Sequence, residues 1–155
     1  MKASTPLSLI FVCLATLPFS LPASAVLGGD ESSVAADVAQ MKASISVTHR
    51  DLYSVHEMKI YSGTVVREYV SPGGRVFGVA WQGPFIPDLQ QLLGTYFQQY
   101  SVAAQSGTNR HASRRFVNIQ QPGLIVQASG HMRAYSGRAY DPGLLPQGVG
   151  VDVVR

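Results

Sequence analysis

Residues 64–100 read TVVREYVSPGGRVFGVAWQGPFIPDLQQLLGTYFQQY, and how this stretch is parsed decides the fold. Two runs rich in β-branched and aromatic residues, Thr64 to Val70 and Arg75 to Trp81, flank Ser71-Pro72-Gly73-Gly74. Proline presets φ in such a turn and glycine takes the positive φ that closes a hairpin. With Gly74 as the bulge residue of a type I turn, Tyr69 faces Phe77, Arg67 faces Val79 and Val65 faces Trp81. The other side then sets Val70, Glu68 and Val66 against Val76, Gly78 and Ala80. One face is bulky and aromatic, and the other is a shallow floor.

Beyond Gln82-Gly83-Pro84, Pro87 suits the first position of a helix and the charge of Asp88 suits its dipole. Leu89, Leu92, Leu93, Tyr96, Phe97 and Tyr100 follow at helical spacing. This predicts a helix over Pro87 to Tyr100 resting on Gly78 and Ala80, where small side chains let it come close. Gly94 costs about 1 kcal/mol relative to alanine in mid-helix, which points to the same close approach. Gln90, Gln91, Thr95, Gln98 and Gln99 make an outer face without charge.

Toward the N-terminus, Tyr61-Ser62-Gly63 predicts a three-residue loop with glycine in the left-handed position. Val55 then opposes Tyr69, His56 opposes Glu68, Glu57 opposes Arg67 and Met58 opposes Val66. A slip of one residue would set Glu57 against Glu68, so charge favours this register. Ser44 to His49 and Tyr53 to Ile60 read as the two preceding strands. Val34, Val38 and Met41 form one face of a helix over Glu31 to Ala43, with Asp30 as its cap.

Toward the C-terminus, Ser101 to Ser113 reads as a polar loop. Arg114 to Gln121 and Leu124 to Ser129 form a hairpin around Pro122-Gly123, with Val117 and Ile119 opposite Ala128 and Val126. The triplet Arg-Ala-Tyr then occurs twice, at Arg133 and Arg138, too few times for a solenoid. The expected fold class is α+β: an antiparallel β-meander of about four strands with two helices packed on it, plus a C-terminal β-hairpin.

Lys2, an apolar run from Leu7 to Leu21 broken by Pro18, and Ala23-Ser24-Ala25 have the form of a secretory signal peptide over residues 1–25. The run is short for a membrane span, so no stable transmembrane anchor is expected. Residues 26–155 are then a single exported domain, periplasmic or extracellular. The single cysteine, Cys13, lies in the leader, which leaves the domain without a disulfide or a thiolate ligand. About 130 residues suffice to bury roughly two thirds of the unfolded surface without a staple.

The net charge is +3, no polyanion-binding signature, and export makes nucleic acid an unfavourable target. Charged residues make up 14% of the chain, below an average protein's roughly 25%. The arginines concentrate after Ala103, where they could meet an acidic surface.

LGGDESSVAAD after the leader, REYVSPGGRVFGVAWQGPFIPDLQQLLGTYF, and GHMRAYSGRAYDPGLLPQGV resemble a family of exported Gram-negative bacterial proteins, the domain of unknown function numbered twenty-eight forty-four. The resemblance covers nearly the whole chain after the leader. It implies a domain that stands alone and is exported, and brings no activity, substrate or catalytic residue with it.

Metal-ligand spacings, a GxSxG elbow, a P-loop and a dinucleotide fingerprint are all missing from the sequence, and no cofactor is expected. His56 with Glu68 is the sharpest catalytic candidate: a nearby carboxylate raises an imidazole pKa and orients a general base. Ser54 lies two residues from His56 on the same face. His49 and His111 sit near turns, and Glu57 with Arg67 reads as a solvated pair. Tyr69, Phe77 and Trp81 form an aromatic face that needs a cover. Arg133, Tyr135, Arg138 and Tyr140 interleave cations with rings, a combination that stacks on sugars or grips acidic groups. With Trp81 they are the candidate binding residues. The expected function is a periplasmic or cell-envelope binding or assembly module with an envelope protein or an acidic or glycan partner. The alternative is a small hydrolase or isomerase using the His/Glu pair.

Overall fold

Antiparallel hairpins follow one another along the chain, and in the computed structural model, which describes residues 27–106 and 116–155, they join into one sheet. Helix α1 (Glu31–Met41) precedes β1 (Ser44–His49), β2 (Ser54–Lys59), β3 (Val65–Val70) and β4 (Val76–Gly83). Helix α2 (Leu89–Leu93), a 3₁₀ turn (Gly94–Tyr96) and helix α3 (Phe97–Gln105) come next. Strands β5 (Phe116–Gln121), β6 (Leu124–His131) and β7 (Ala134–Tyr140) lead to 3₁₀ turns at Pro142–Leu144 and Val151–Val153.

The seven strands lie in the order β1-β2-β3-β4-β7-β6-β5. This corrects the expected four-stranded meander with two helices and a separate C-terminal hairpin. The difference is β7, the segment holding the second Arg-Ala-Tyr triplet, which pairs with β4 on one side and β6 on the other. It is reached through Met132-Arg133, with Arg133 at φ 62°. Neither residue is a usual hairpin turn former, so the connection carries no sequence signal.

The β2–β3 register sets Val55, His56, Glu57 and Met58 opposite Tyr69, Glu68, Arg67 and Val66, the arrangement that the charges favour. The β5–β6 hairpin likewise pairs Val117 with Ala128 and Ile119 with Val126. In the β3–β4 turn, Gly74 takes φ 74° and donates its N–H to Ser71 O at 2.9 Å. One residue later the expected register fails. Val70 pairs with Val76 but Tyr69 pairs with Gly78, so Phe77 is the extra residue of a bulge.

That one residue turns the rest of β4 over. Val79 and Trp81 now share a side with Glu68 and Val66, while Gly78 and Ala80 share one with Tyr69 and Arg67. The expected shelf for the helix therefore faces the other way. Leu92 and Leu93 pack with Val66, Val79 and Trp81, and Gly78 lies against Val154, where an added Cβ would meet Val154 Cγ2 at 2.8 Å.

The helix expected over Pro87 to Tyr100 is also broken. Asp88 caps α2, accepting from the N–H groups of Gln90 and Gln91. Gly94 then ends α2 at φ 47°, ψ −116°, a backbone setting that suits glycine, so a helix stop and not a close approach explains it. Helix α3 runs on to Gln105, through residues expected in the loop. The segment before α1 is pinned to the sheet: Leu27 is buried and Gly28 N–H donates to Val76 O at 2.8 Å.

Two cores result. On the helix side, Leu27, Val34, Leu92 and Leu93 pack against Met58, Val66, Trp81 and Val126. On the other side, Tyr69, Phe77, Ala80 and Tyr140 pack beneath Val154. Among the described residues no helix is long and apolar enough to cross a membrane.

Candidate functional site

Alternation along the strands, and not sequence proximity, decides which candidate residues meet. His56 and Glu68 are cross-strand neighbours on the helix side, 5% and 0% exposed. Ser54 Oγ lies 3.2 Å from His56 Nε2, and Glu31 Oε1 of α1 lies 3.4 Å from the same nitrogen. Burial pushes the His56 pKa below its ordinary value, with His49 adding to that and Glu31 opposing it. Near neutral pH the imidazole is therefore an uncharged base. A hydroxyl, an imidazole and a carboxylate come together, but hydroxyl and carboxylate share one ring nitrogen, whereas a catalytic triad holds its acid on the other. Glu31 is the member that sequence reasoning missed, because only the packing of α1 brings it to β2.

Trp81, expected on one aromatic face with Tyr69 and Phe77, is 3% exposed on the helix side, its ring lying over Gly137. The bulge separates it from Tyr69 and Phe77, which pack with Tyr53 at centroid distances of 6.1 to 6.3 Å. The two Arg-Ala-Tyr triplets are also divided. Arg133 is exposed in the β6–β7 turn, and Tyr135 lies opposite Gly83 and Gly130, on the Trp81 side. Arg138 and Tyr140 share the opposite side, with the guanidinium carbon 5.7 Å from the ring centroid.

Arg138 clamps the C-terminal segment. Its Nε and Nη2 donate to Gln127 Oε1 at 2.9 and 2.8 Å, and its Nη1 donates to Val151 O and Val154 O at 3.2 and 3.1 Å. Tyr69 adds a second anchor: its hydroxyl donates to Arg155 O at 2.6 Å and accepts from Arg155 N–H at 3.0 Å. Arg67, held by Glu57 at 2.9 Å, reaches the same Arg155 oxygen at 3.5 Å.

The clamped segment leaves a groove on each side. One, of about 420 Å³, is lined by Gln82, Phe116, Gln127, Ser129, Ser136 and Arg138. The other, of about 660 Å³, is lined by Thr48, Arg50, Tyr53, Glu57, Arg67 and Asp152. Among the described residues no group of three or more His, Cys, Asp or Glu side chains could hold a metal ion. Residues 1–25, expected to be a leader, with Cys13 among them, and His111 lie outside the described residues.

A family model described as protein of unknown function (DUF2844) matches residues 23–154. No curated protein and no solved structure gives a significant match.

Proposed function

The chain belongs to the DUF2844 family, whose description names no activity, and we propose that it is an exported binding module of the cell envelope that takes a hydroxyl-rich, glycan-type ligand. The groove beside the C-terminal segment carries this reading. Its walls present the amides of Gln82 and Gln127 and the hydroxyls of Ser129 and Ser136, while Phe116 stands 43% exposed beside them. Uncharged donors and acceptors next to an accessible ring fit a sugar, whose hydroxyls need hydrogen bonds and whose C–H face lies on aromatic carbon. The leader-like first residues support export, and Arg138 enters as the residue that shapes the groove.

Binding to soluble envelope polysaccharide fragments, followed by NMR, tests this. Shifts should concentrate at Gln82, Gln127, Ser129 and Ser136, and Phe116→Ala should weaken binding at least tenfold. Shifts elsewhere, or unchanged affinity in Phe116→Ala, would count against it.

Acid–base chemistry at His56 is the second reading, favoured by the Ser54 contact and the uncharged ring. With His56 and Glu68 buried, a substrate reaches them only if α1 lifts. Turnover of an ester or amide that disappears in His56→Ala, with glycan binding unchanged, is the result that would move the argument there.

A further inference from the structure

Among the described residues, strand β1 ends the sheet and has a strand neighbour on one side only. All six of its residues are exposed, and the ladder shows which of its main-chain groups face outward. Arg50 N–H donates to Tyr53 O at 2.8 Å, continuing the register in which Thr48, Ser46 and Ser44 pair with Val55, Glu57 and Lys59. Hydrogen-bonded pairs recur at every second residue of an antiparallel ladder, so Ser44, Ser46 and Thr48 direct their N–H and C=O groups toward β2. Those of Ile45, Val47 and His49 point away from the sheet.

Native edge strands are blunted by lysine, proline, a bulge or an inward-pointing charge. SISVTH has no Lys, Arg, Asp, Glu or Pro, and its register with β2 is continuous. Ile45 and Val47, on the α1 side of the sheet, are 42% and 43% exposed, so α1 leaves the strand's apolar side uncovered.

We propose that this edge pairs with β1 of a second copy of the chain, antiparallel about a two-fold axis through Ser46. The strand's own pattern selects that occupant: read in either direction from Ser46, it alternates hydroxyl and aliphatic residues. Ile45 of each copy then lies opposite Val47 of the other, Ser44 lies opposite Thr48, and Ser46 faces its own symmetry mate. The two Ile45–Val47 pairs each exchange both main-chain hydrogen bonds, using the groups that β2 leaves outward. Within the paired strands no like charges meet. Lys42 and Arg50 flank the strand and approach each other at the two ends, so salt strengthens the association by screening them. This surface is separate from the glycan groove and does not depend on it.

The test uses purified protein carrying Cys13→Ser, which removes the only cysteine. Sedimentation at micromolar concentration should show a dimer that strengthens with salt. Val47→Lys and Ile45→Lys should each give a folded monomer with an unchanged circular dichroism spectrum. Ser46→Cys should oxidise to a covalent dimer, because a non-hydrogen-bonded pair brings two Cα atoms to about 4.5 Å, within disulfide reach. Thr48→Cys should not, since it lies opposite Ser44 and its own symmetry mate is four positions out of register. A wild-type monomer at all accessible concentrations overturns the proposal, as does a dimer that survives both lysine substitutions. Equal cross-linking at Thr48 and Ser46 does the same. A monomer that takes up a foreign peptide strand would assign the edge to another protein and equally reject self-pairing.

Discussion

Gly137→Ala should destabilise the fold by overpacking, chiefly against Trp81. The Cβ of an alanine at that position would overlap Trp81 Cζ2 and Cε2 and come within 2.9 Å of Ala128 Cβ. The indole is rigid and buried, so the strain has to be taken up by the strand or by the helices above it. Overpacking of this kind costs about 1–3 kcal/mol, while removing a glycine from a strand returns about 0.5–1 kcal/mol. The net loss is therefore about 0.5–2 kcal/mol. For 120 described residues the unfolding entropy is about 250 cal/mol/K, which makes that loss a fall of about 2–8 °C in melting temperature. Urea unfolding reads it directly, because the chain has one tryptophan and its fluorescence reports on Trp81. A double-mutant cycle isolates the cause: in a Trp81→Phe background, followed by circular dichroism, Gly137→Ala should become neutral or slightly stabilising. Wild-type stability in the single variant, or an equal loss in both backgrounds, would refute the packing of Trp81 on Gly137.

Tyr69→Phe removes the hydroxyl that bridges both main-chain groups of Arg155 and should cost about 1 kcal/mol, with faster amide exchange confined to residues 151–155. Acid stability should depend on His56. Its folded pKa lies below 6.5, so the unfolded chain takes up the proton first, and stability falls as pH drops through 6.5 until the folded ring also protonates. His56→Gln should remove that acid arm from a plot of melting temperature against pH. At the alkaline end, burial and the hydrogen bond to Asp141 hold Tyr96 up to about 12 against an ordinary 10.0, and burial raises Tyr69 and Tyr100 too. The unfolded chain ionises first, so stability should decline from pH 10 toward 12, less steeply in Tyr96→Phe.

Where the sequence could be read, local chemistry and long-range packing agreed. Gly74 and Gly63 sit in the left-handed conformations their turns require, Asp88 caps a helix, and the charges of Glu57 and Arg67 select the β2–β3 register. The misreadings have particular causes. Nothing about Phe77 marks it as an extra residue, yet the bulge there reverses which side of the sheet carries Trp81 and which carries Gly78. Gly94 was legible as an anomaly but not as a helix stop, because its dihedrals depend on where α3 must go. Met132-Arg133 lacks turn chemistry, so β7 could not be told from loop. The candidate site suffered most, since alternation along β7 sends Tyr135 to one side and Arg138 with Tyr140 to the other. Val154, whose burial against Gly78 closes the second core, is an ordinary valine near the end of the sequence.

The position of β7 also bears on how the molecule assembles. During synthesis β4 is complete long before Tyr140 exists, and its apolar segment Val76–Trp81 must wait with one side unpaired until the last strand slots in between it and β6. Long-range closure of this kind is slow relative to local hairpin formation, and an unpaired apolar strand is a site of aggregation while it lasts. Chain release with β7 missing should therefore yield insoluble material, whereas loss of the outermost strand should be better tolerated.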